Sequence, residues 1–254
     1  MLFRGIGVAL VTLFDRDGAL LAEATAEHAA RLVERGVTAI VVAGTTGEAA
    51  SLVPDERVAL LAAVRGAVPA GVPVIAGTGA PTAAEAIELT RSAADAGADA
   101  ALALSPRGVE DPSDYYAALA AAAADLPLLA YHFPLASAPG IPVDLLPGLP
   151  TRGVKDSSGD ADRLAFMLER YEGEIYVGSP TILALAGPFG ATGAILGLAN
   201  LVPERCAAAW AGDLDAQRAL LADHLAASED FPRGLKERMA AELGTPAGVR
   251  GVLA

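Results

Sequence analysis

Lys155 and Tyr131 are the two side chains whose types and surroundings indicate carbonyl chemistry. Lys155 ends a short apolar run, and a lysine held among apolar residues can attack a ketone carbon as a neutral amine to form a Schiff base. Tyr131 ends the apolar run Leu128–Ala130, and a phenol near an amine can shuttle protons during imine formation. The pair predicts a covalent site. The alternatives are a surface lysine that neutralises Asp156 and a tyrosine packed in the core.

The turn Gly44-Thr45-Thr46-Gly47 follows another apolar run and offers a second kind of chemistry. Its hydroxyls and closely spaced backbone N–H groups form a cradle for a carboxylate. A carboxylate cradle, an amine and a proton shuttle together predict a site for a 2-oxo acid. Because a Schiff base supplies the electron sink, and no HExxH, P-loop or cysteine pair occurs, we expect neither a metal nor a cofactor. A second glycine-rich segment, Gly187–Gly197, leaves a phosphate-binding barrel enzyme as an alternative.

The remaining reactive side chains are expected to serve the fold. Lys155 and Lys236 are the two lysines of the chain, and Lys236 stands in a charged stretch that predicts a solvated helix face. His132 follows Tyr131 and therefore points to the other side of its strand, where a structural role is expected. Cys206 lies among apolar residues at the start of a predicted helix, which predicts a packing role.

Short apolar runs alternate along the chain with alanine-rich amphipathic stretches. This alternation is typical of parallel strands that are buried on both faces and joined by helices. The predicted strands are Ile6–Leu13, Ala39–Ala43, Val72–Ala76, Ala100–Leu104, Leu128–Tyr131, Gly153–Lys155, Ile175–Gly178 and Ala194–Leu196. Eight strand-then-helix units favour an α/β fold, a (β/α)8 TIM barrel with a short C-terminal helical extension, over an open doubly wound sheet.

Helices are predicted between the strands and after the last one, among them Val143–Leu149, Pro180–Ala186, Asp215–Ser228 and Arg233–Leu243. We predict a barrel over residues 1–212 and C-terminal helices over residues 213–254 that pack on it as a single structural domain. Catalytic groups of such barrels sit at the C-terminal ends of the strands. The expected site therefore lies at the opening that Tyr131 and Lys155 share.

The composition narrows the class of protein. Of the 254 residues, 53% are hydrophobic and 19% are charged, which suffices for one large core and excludes disorder. Asp and Glu number 31 against 18 Lys and Arg, so the net charge is −13 and neither nucleic acid nor an anionic membrane is an expected partner. Glycine and proline interrupt the uncharged stretch Ile175–Pro203, which argues against a membrane span. The first residues lack secretory features, which predicts a cytoplasmic protein.

A series of motifs runs in order through nearly the whole chain: GTTGE followed by SLVPDER, then VIAGTGAPTAAEAI, AYHFP, GVKDSSGD and GATGAILGLANLVP. In this combination the sequence resembles the pyruvate-dependent class I aldolase family of dihydrodipicolinate synthase and N-acetylneuraminate lyase. The resemblance implies a (β/α)8 barrel with extra C-terminal helices that assembles into a homo-oligomer, a dimer or a tetramer. It also implies a lyase or aldolase that acts on pyruvate and an aldehyde.

The same resemblance implies a role for each site residue. Lys155 would form the Schiff base and Tyr131 would shuttle protons. Thr45 and Thr46 would bind the carboxylate of pyruvate, and Ile195 would line the site through its backbone carbonyl.

Three places depart from the pattern of the synthases in this family. Arg107-Gly108 stand where a tyrosine pair usually follows the fourth strand, while Tyr115 and Tyr116 fall on a predicted helix. Leu135-Ala136-Ser137 stand where an arginine usually holds the carboxylate of the aldehyde, and His132 replaces an asparagine. The departures favour a sugar-acid or hydroxy-oxo-acid aldolase over dihydrodipicolinate synthase proper. They are also compatible with an imine-dependent dehydratase and with a paralogue that binds a 2-oxo acid without turnover.

Overall fold

Eight parallel strands close into a barrel. The computed structural model describes residues 1–251, in which the strands hydrogen-bond in chain order and the eighth lies beside the first. The strands are β1 Gly5–Ala9, β2 Ala39–Val42, β3 Val74–Gly77, β4 Ala100–Leu104, β5 Leu128–His132, β6 Gly153–Asp156, β7 Glu174–Val177 and β8 Gly193–Leu196. The predicted (β/α)8 TIM barrel is confirmed.

Helices connect the strands and follow the last one. The α-helices of the described residues are α1 Ala22–Glu34, α2 Pro54–Ala67, α3 Ala83–Asp95, α4 Ser113–Ala123, α5 Ala161–Arg170, α6 Leu183–Ala186, α7 Pro203–Trp210, α8 Leu214–Ser228 and α9 Arg233–Leu243. Short 3-10 helices lie at Ala49–Ser51, Val143–Gly148, Pro180–Ile182 and Leu198–Asn200. Both helices predicted for the tail are confirmed, and residues 252–254 of that prediction lie outside the described part of the chain.

Two apolar layers hold the barrel together. Alternate strand residues such as Ile75, Leu102 and Leu129 fill the interior, and the others pack against the helices. Because successive side chains point to opposite faces and both faces are covered, the strands are apolar throughout. Cys206 has the predicted packing role: it is fully buried in α7, and burial raises the pKa of its thiol to about 12.

The first strand is shorter than its apolar run predicts. A strand was expected over Ile6–Leu13, but β1 ends at Ala9. Beyond that point the backbone N–H of Val11 donates to the side chain of Asn200 at 3.1 Å instead of to a neighbouring strand. Leu10, Val11 and Leu13 are buried in the core cluster although the strand has ended, so their hydrophobicity does not report strand pairing.

Two predicted helices take a different form. The segment expected to be helical over Val143–Leu149 is a 3-10 helix over Val143–Gly148, because Pro147 inside it lacks an N–H and cannot donate to an α-helical ladder. The segment Pro180–Ala186 begins as a 3-10 helix and becomes α-helical only over α6.

The C-terminal helices contact the last helices of the barrel. Gln217 of α8 accepts a hydrogen bond from the N–H of Ala184 and donates one to the carbonyl of Pro180, each at 2.9 Å. Leu220 and Leu235 are fully buried in the same core cluster as the outer layer of the barrel. The division of the chain at residue 212 stays a prediction.

The uncharged stretch from residue 175 to 203 contains most of β7 and all of α6 and β8. One of its glycines is required by close packing, since a Cβ on Gly187 would lie 1.9 Å from the carbonyl oxygen of Trp210. Among the residues that the structure describes, no helix combines the length and the hydrophobicity that crossing a membrane needs.

Candidate active site

Lys155 and Tyr131 lie side by side at the C-terminal opening of the barrel. They are register partners on β6 and β5, and the amine of Lys155 lies 4.3 Å from the ring centroid of Tyr131. Each side chain is only 5% exposed. Phe133, the next inward residue after Tyr131, stacks on its ring at 5.9 Å between centroids. The structure therefore brings the predicted nucleophile and the predicted proton shuttle into contact.

Lys155 has no acidic partner within residues 1–251. The neighbouring Asp156 points outward, where Arg163 of α5 and the hydroxyl of Ser158 bind its carboxylate. The alternative of a surface lysine that neutralises Asp156 is therefore wrong. The amine instead lies over the ring of Tyr131 at the C-terminal end of the barrel.

Ser157 is a site residue that the sequence analysis did not single out. Its hydroxyl donates to the hydroxyl of Tyr131 at 3.3 Å. Gly178, at the end of β7, makes room for this arrangement, because a Cβ there would lie 1.9 Å from Ser157 Oγ and 3.1 Å from Lys155 Cε. The signal that could have found Ser157 is its position two residues after Lys155, which places both side chains on the inner face.

The turn that starts at Gly44 lies at the same end of the barrel, directly after β2. The N–H of Gly47 donates to the carbonyl of Gly44 at 3.0 Å, and Thr12 Oγ1 donates to the carbonyl of Gly47 at 2.7 Å. Thr46 is buried and Thr45 is half-buried. In residues 1–251 no hydrogen bond engages either threonine hydroxyl, so both are available to a ligand.

The last strand contributes Ile195, which is fully buried inside the barrel as the register partner of Gly7. The next inward residue, Gly197, connects this strand to the threonine turn, since a Cβ on it would lie 3.5 Å from Thr46 Oγ1. The same Cβ would lie 3.6 Å from the ring of Phe231. The loop between α8 and α9 therefore reaches the opening, which no local signal in the sequence indicated.

His132 points away from the barrel interior, as the two-residue period predicts. Its Nδ1 accepts a hydrogen bond from the N–H of Ile141 at 2.8 Å. Burial lowers the pKa of the imidazole to about 4, with Asp156 opposing this effect and Arg163 adding to it. Position 140 beside it requires glycine, because its φ is +82° and a Cβ there would lie 2.4 Å from Nδ1. The neutral imidazole joins a loop to β5.

Tyr115 and Tyr116 lie on α4 and pack behind the barrel wall, so they do not enter the site. Their rings meet edge to face at 5.2 Å, and burial raises the pKa of Tyr115 to about 12. The hydroxyl of Tyr116 donates to the carbonyl of Ala103 at 3.0 Å and accepts from the N–H of Tyr131 at 3.3 Å. Tyr116 therefore fixes the backbone of Tyr131 from outside the barrel.

Arg107 lies on the exposed loop after β4. Its Nη2 donates to the carbonyl of Ala136 at 2.7 Å, and the N–H of Gly108 donates to the carbonyl of Ala138 at 2.7 Å. These bonds join the loops that follow β4 and β5. The guanidinium group therefore stands beside the segment that carries Leu135 in place of an arginine.

The solvated position predicted for Lys236 is wrong. Its side chain is fully buried, its Nζ forms an ion pair with Glu48, and it donates to the carbonyl of Gly248 at 2.8 Å. The charged neighbours in the sequence gave no information on this face, because they point elsewhere around α9.

The fold is a (β/α)8 barrel, and a buried lysine lies against a tyrosine at the C-terminal ends of its strands. Enzymes of this general class have their active sites at that face. Over residues 1–251 no group of three or more His, Cys, Asp or Glu side chains is placed to hold a metal ion. The chain belongs to the Dihydrodipicolinate synthetase family, which matches residues 2–243. The family and the curated relatives are lyases and aldolases, which supports an enzyme.

Known relatives agree with this assignment. A 4-hydroxy-tetrahydrodipicolinate synthase of Haloarcula marismortui is 36% identical over 233 residues, which cover 86% of this chain and 76% of the relative. An uncharacterised DapA-like lyase of Halobacterium salinarum is 35% identical over 210 residues, 79% of this chain and 68% of the relative. The structure is similar to that of the chloride-inhibited dihydrodipicolinate synthase from Acinetobacter baumannii complexed with pyruvate, with a TM-score of 0.89, 29% identity and coverage of 98% and 92%.

Proposed function

We propose that this enzyme forms or cleaves a C–C bond between pyruvate and an aldehyde through an imine on Lys155. The observation that carries the proposal is the buried amine of Lys155, 4.3 Å from the ring centroid of Tyr131 and without an acidic partner in the described chain. The similarity to a synthase complexed with pyruvate supports pyruvate as the first substrate.

The reaction starts when Nζ of Lys155 attacks C2 of pyruvate and forms a C–N bond. Loss of water gives the imine, and removal of a proton from C3 gives an enamine. C3 of the enamine then attacks the aldehyde carbon, whose oxygen takes up a proton. Water hydrolyses the imine, which releases the product and regenerates the amine. Cleavage follows the same steps in reverse.

The other side chains of the site have roles in these steps. The hydroxyl of Tyr131 carries the travelling proton, and the hydrogen bond from Ser157 fixes the position of that hydroxyl. The hydroxyls of Thr45 and Thr46 hold the carboxylate of pyruvate, and the carbonyl of Ile195 lines the pocket. The imine serves as the electron sink, so no cofactor is required.

Borohydride reduction tests the proposal directly. Incubation with pyruvate and borohydride should reduce the imine and leave a stable adduct on Lys155, which peptide mapping by mass spectrometry locates. Because the chain has two lysines, the matched control is built in: Lys236 should stay unmodified. An unmodified Lys155 at saturating pyruvate overturns the proposal.

The identity of the aldehyde depends on the loops after β4 and β5. Leu135, 88% exposed, occupies the place of the arginine that would hold an aldehyde carboxylate, which favours a sugar-acid or hydroxy-oxo-acid aldolase. Arg107, tethered to Ala136, supplies a cation to the same loop and supports dihydrodipicolinate synthase proper as the second candidate. A panel of aldehydes assayed with wild type and Arg107→Gln decides between them. A loss confined to carboxylate-bearing aldehydes supports the synthase.

A barrel that binds a 2-oxo acid without turnover is the alternative from a different class of protein. The observation that favours it is Arg107-Gly108 in place of a tyrosine pair. Saturable pyruvate binding with no adduct and no aldol product would establish it. Released pyruvate in the cleavage direction, abolished by Lys155→Ala, would exclude it.

A further inference from the structure

A buried ion pair joins the threonine turn to the C-terminal helices. Glu48 and Lys236 are separated by 188 residues, and their side chains are 2% and 0% exposed. An isolated buried charge is strongly unfavourable, so each of the two groups depends on the other. The pair belongs to neither of the layers that form the barrel core, and the proposed reaction does not use it.

Glu48 directly follows the turn and has an unusual backbone. Its φ of 55° lies in the left-handed region, which residues with a side chain rarely adopt. The N–H of Glu48 donates to the carbonyl of Thr45 at 3.1 Å, and the N–H of Ala49 donates to that of Gly44 at 3.2 Å. The conformation of Glu48 and the shape of the turn are therefore one structural unit. Any contact that fixes the conformation of Glu48 therefore also fixes the positions of Thr45 and Thr46.

The contacts that fix Glu48 come from the C-terminal segment. Oε2 of Glu48 accepts hydrogen bonds from the N–H groups of Arg250, at 2.8 Å, and Gly251, at 3.2 Å. Lys236 on α9 binds Oε1 and also donates to the carbonyl of Gly248, so it fixes the carboxylate and the segment together. All partners of this carboxylate in the described chain come from α9 and the residues that follow it.

Further contacts anchor the segment against the start of the barrel. The guanidinium group of Arg250 binds the carboxylate of Glu56 on α2 through two hydrogen bonds of 2.6 Å. The ring of Phe14 lies beneath both cations, 4.7 Å from Nζ of Lys236 and 4.4 Å from Cζ of Arg250. The segment therefore has a defined position from which it can restrain Glu48.

We propose that Lys236 is a positioning residue of the active site: through Glu48 it holds the Thr45–Thr46 turn in the geometry that receives the carboxylate of the 2-oxo acid. The C-terminal extension thereby takes part in substrate binding although none of its charged groups touches the substrate. The substrate part of this inference rests on the proposed function. The positioning of the turn does not.

The test uses Lys236→Met, which keeps the length of the side chain and removes its charge. Asp223→Asn is the matched control, because Asp223 is a mostly buried carboxylate of the same extension that binds Arg205 and Arg238 and does not contact the turn. Hydrogen exchange of residues 44–51 reports the order of the turn. Borohydride trapping at increasing pyruvate concentration reports binding at Lys155.

We expect Lys236→Met to accelerate exchange in residues 44–51 and to raise the half-saturating pyruvate concentration about tenfold, with the trapping rate at saturation within about twofold of wild type. Asp223→Asn should change neither. Glu48→Gln should repeat the effect, and the double variant Glu48→Gln/Lys236→Met should show less than the sum of the two single effects. Lys236→Arg should restore much of the binding.

Several outcomes overturn the inference. Unchanged exchange and unchanged half-saturation in Lys236→Met do so, as do changes equal to those of Asp223→Asn, which reveal a general loss of stability. If Lys236→Met does not fold, an unaltered pyruvate dependence in Glu48→Gln overturns it. Failure of wild type to trap pyruvate overturns the proposed function instead, and hydrogen exchange then still decides whether Lys236 positions the turn.

Discussion

The two lysines of the chain are both buried, yet their surroundings are opposite. Lys236 meets a carboxylate, a carbonyl oxygen and an aromatic face, so its charge is paired. Lys155 meets the ring of Tyr131 and no acidic group in residues 1–251. A buried pair is difficult to break without destabilising the fold, whereas a buried amine at an opening is free to react. One lysine is therefore committed to the structure, and the other stands at the proposed substrate site.

Replacing Lys155 should have the largest effect on activity and little effect on stability. Lys155→Met removes the nucleophile, so the rate of pyruvate release in the cleavage direction should fall at least about 10⁴-fold. The free energy of unfolding should be unchanged or higher, because an uncompensated amine is replaced by an apolar chain of similar length. Steady-state assays and denaturant unfolding measure the two quantities. A variant that keeps a tenth of the activity would contradict the comparison.

Replacing Lys236, in contrast, should mainly lower the free energy of unfolding. Lys236→Met leaves the carboxylate of Glu48 buried with backbone donors alone, so the free energy of unfolding should fall by about 3 kcal/mol. The control is Arg170→Met, which breaks an exposed ion pair with Asp144 and should cost less than about 1 kcal/mol. Urea unfolding of both variants provides the measurement. Equal losses in the two would mean that the buried pair is no stronger than a surface pair.

The two serines after Lys155 also have opposite surroundings. Ser157 points inward and donates to Tyr131, whereas Ser158 points outward and donates to Asp156. Ser157→Ala should therefore lower kcat about tenfold by freeing the phenol, and Ser158→Ala should leave kcat nearly unchanged. Similar losses in both variants would indicate a general disturbance of β6 rather than a role for the inward hydroxyl.

The smallest effect concerns the buried histidines. Burial lowers the pKa of His28 and of His132 to about 4, below the ordinary value of 6.5. Between pH 4 and pH 6.5 the unfolded chain therefore binds more protons than the folded chain. The contribution of the neutral imidazoles to stability is thus complete above pH 6.5 and is lost as the pH falls towards 4. Between pH 7 and pH 5 one such histidine should cost about 2 kcal/mol of stability, so His132→Asn should reduce the pH dependence by about that amount when urea unfolding is measured at the two pH values. An unchanged pH dependence would show that His132 is not desolvated.

Local patterns predicted the parts of the site that lie on strands. Tyr131, His132 and Lys155 take the faces that a two-residue period assigns to them, because neighbouring side chains of a strand must point in opposite directions. The same rule could have found Ser157. Hydrophobicity failed beyond Ala9, where residues are buried in the core without belonging to a strand. Helical periodicity failed around Pro147, because the proline ring clashes with the carbonyl four residues earlier in an α-helix.

The sequence by itself determined the eight-stranded barrel and the meeting of Lys155 with Tyr131, since both follow from alternation along short segments and from the order of the strands. Only the tertiary structure decided the role of Lys236. Its partner Glu48 lies 188 residues away, and the charged neighbours of a lysine on a helix say nothing about what its own face packs against. Whether two residues so far apart in the sequence meet depends on how every element between them packs, and no local pattern predicts that.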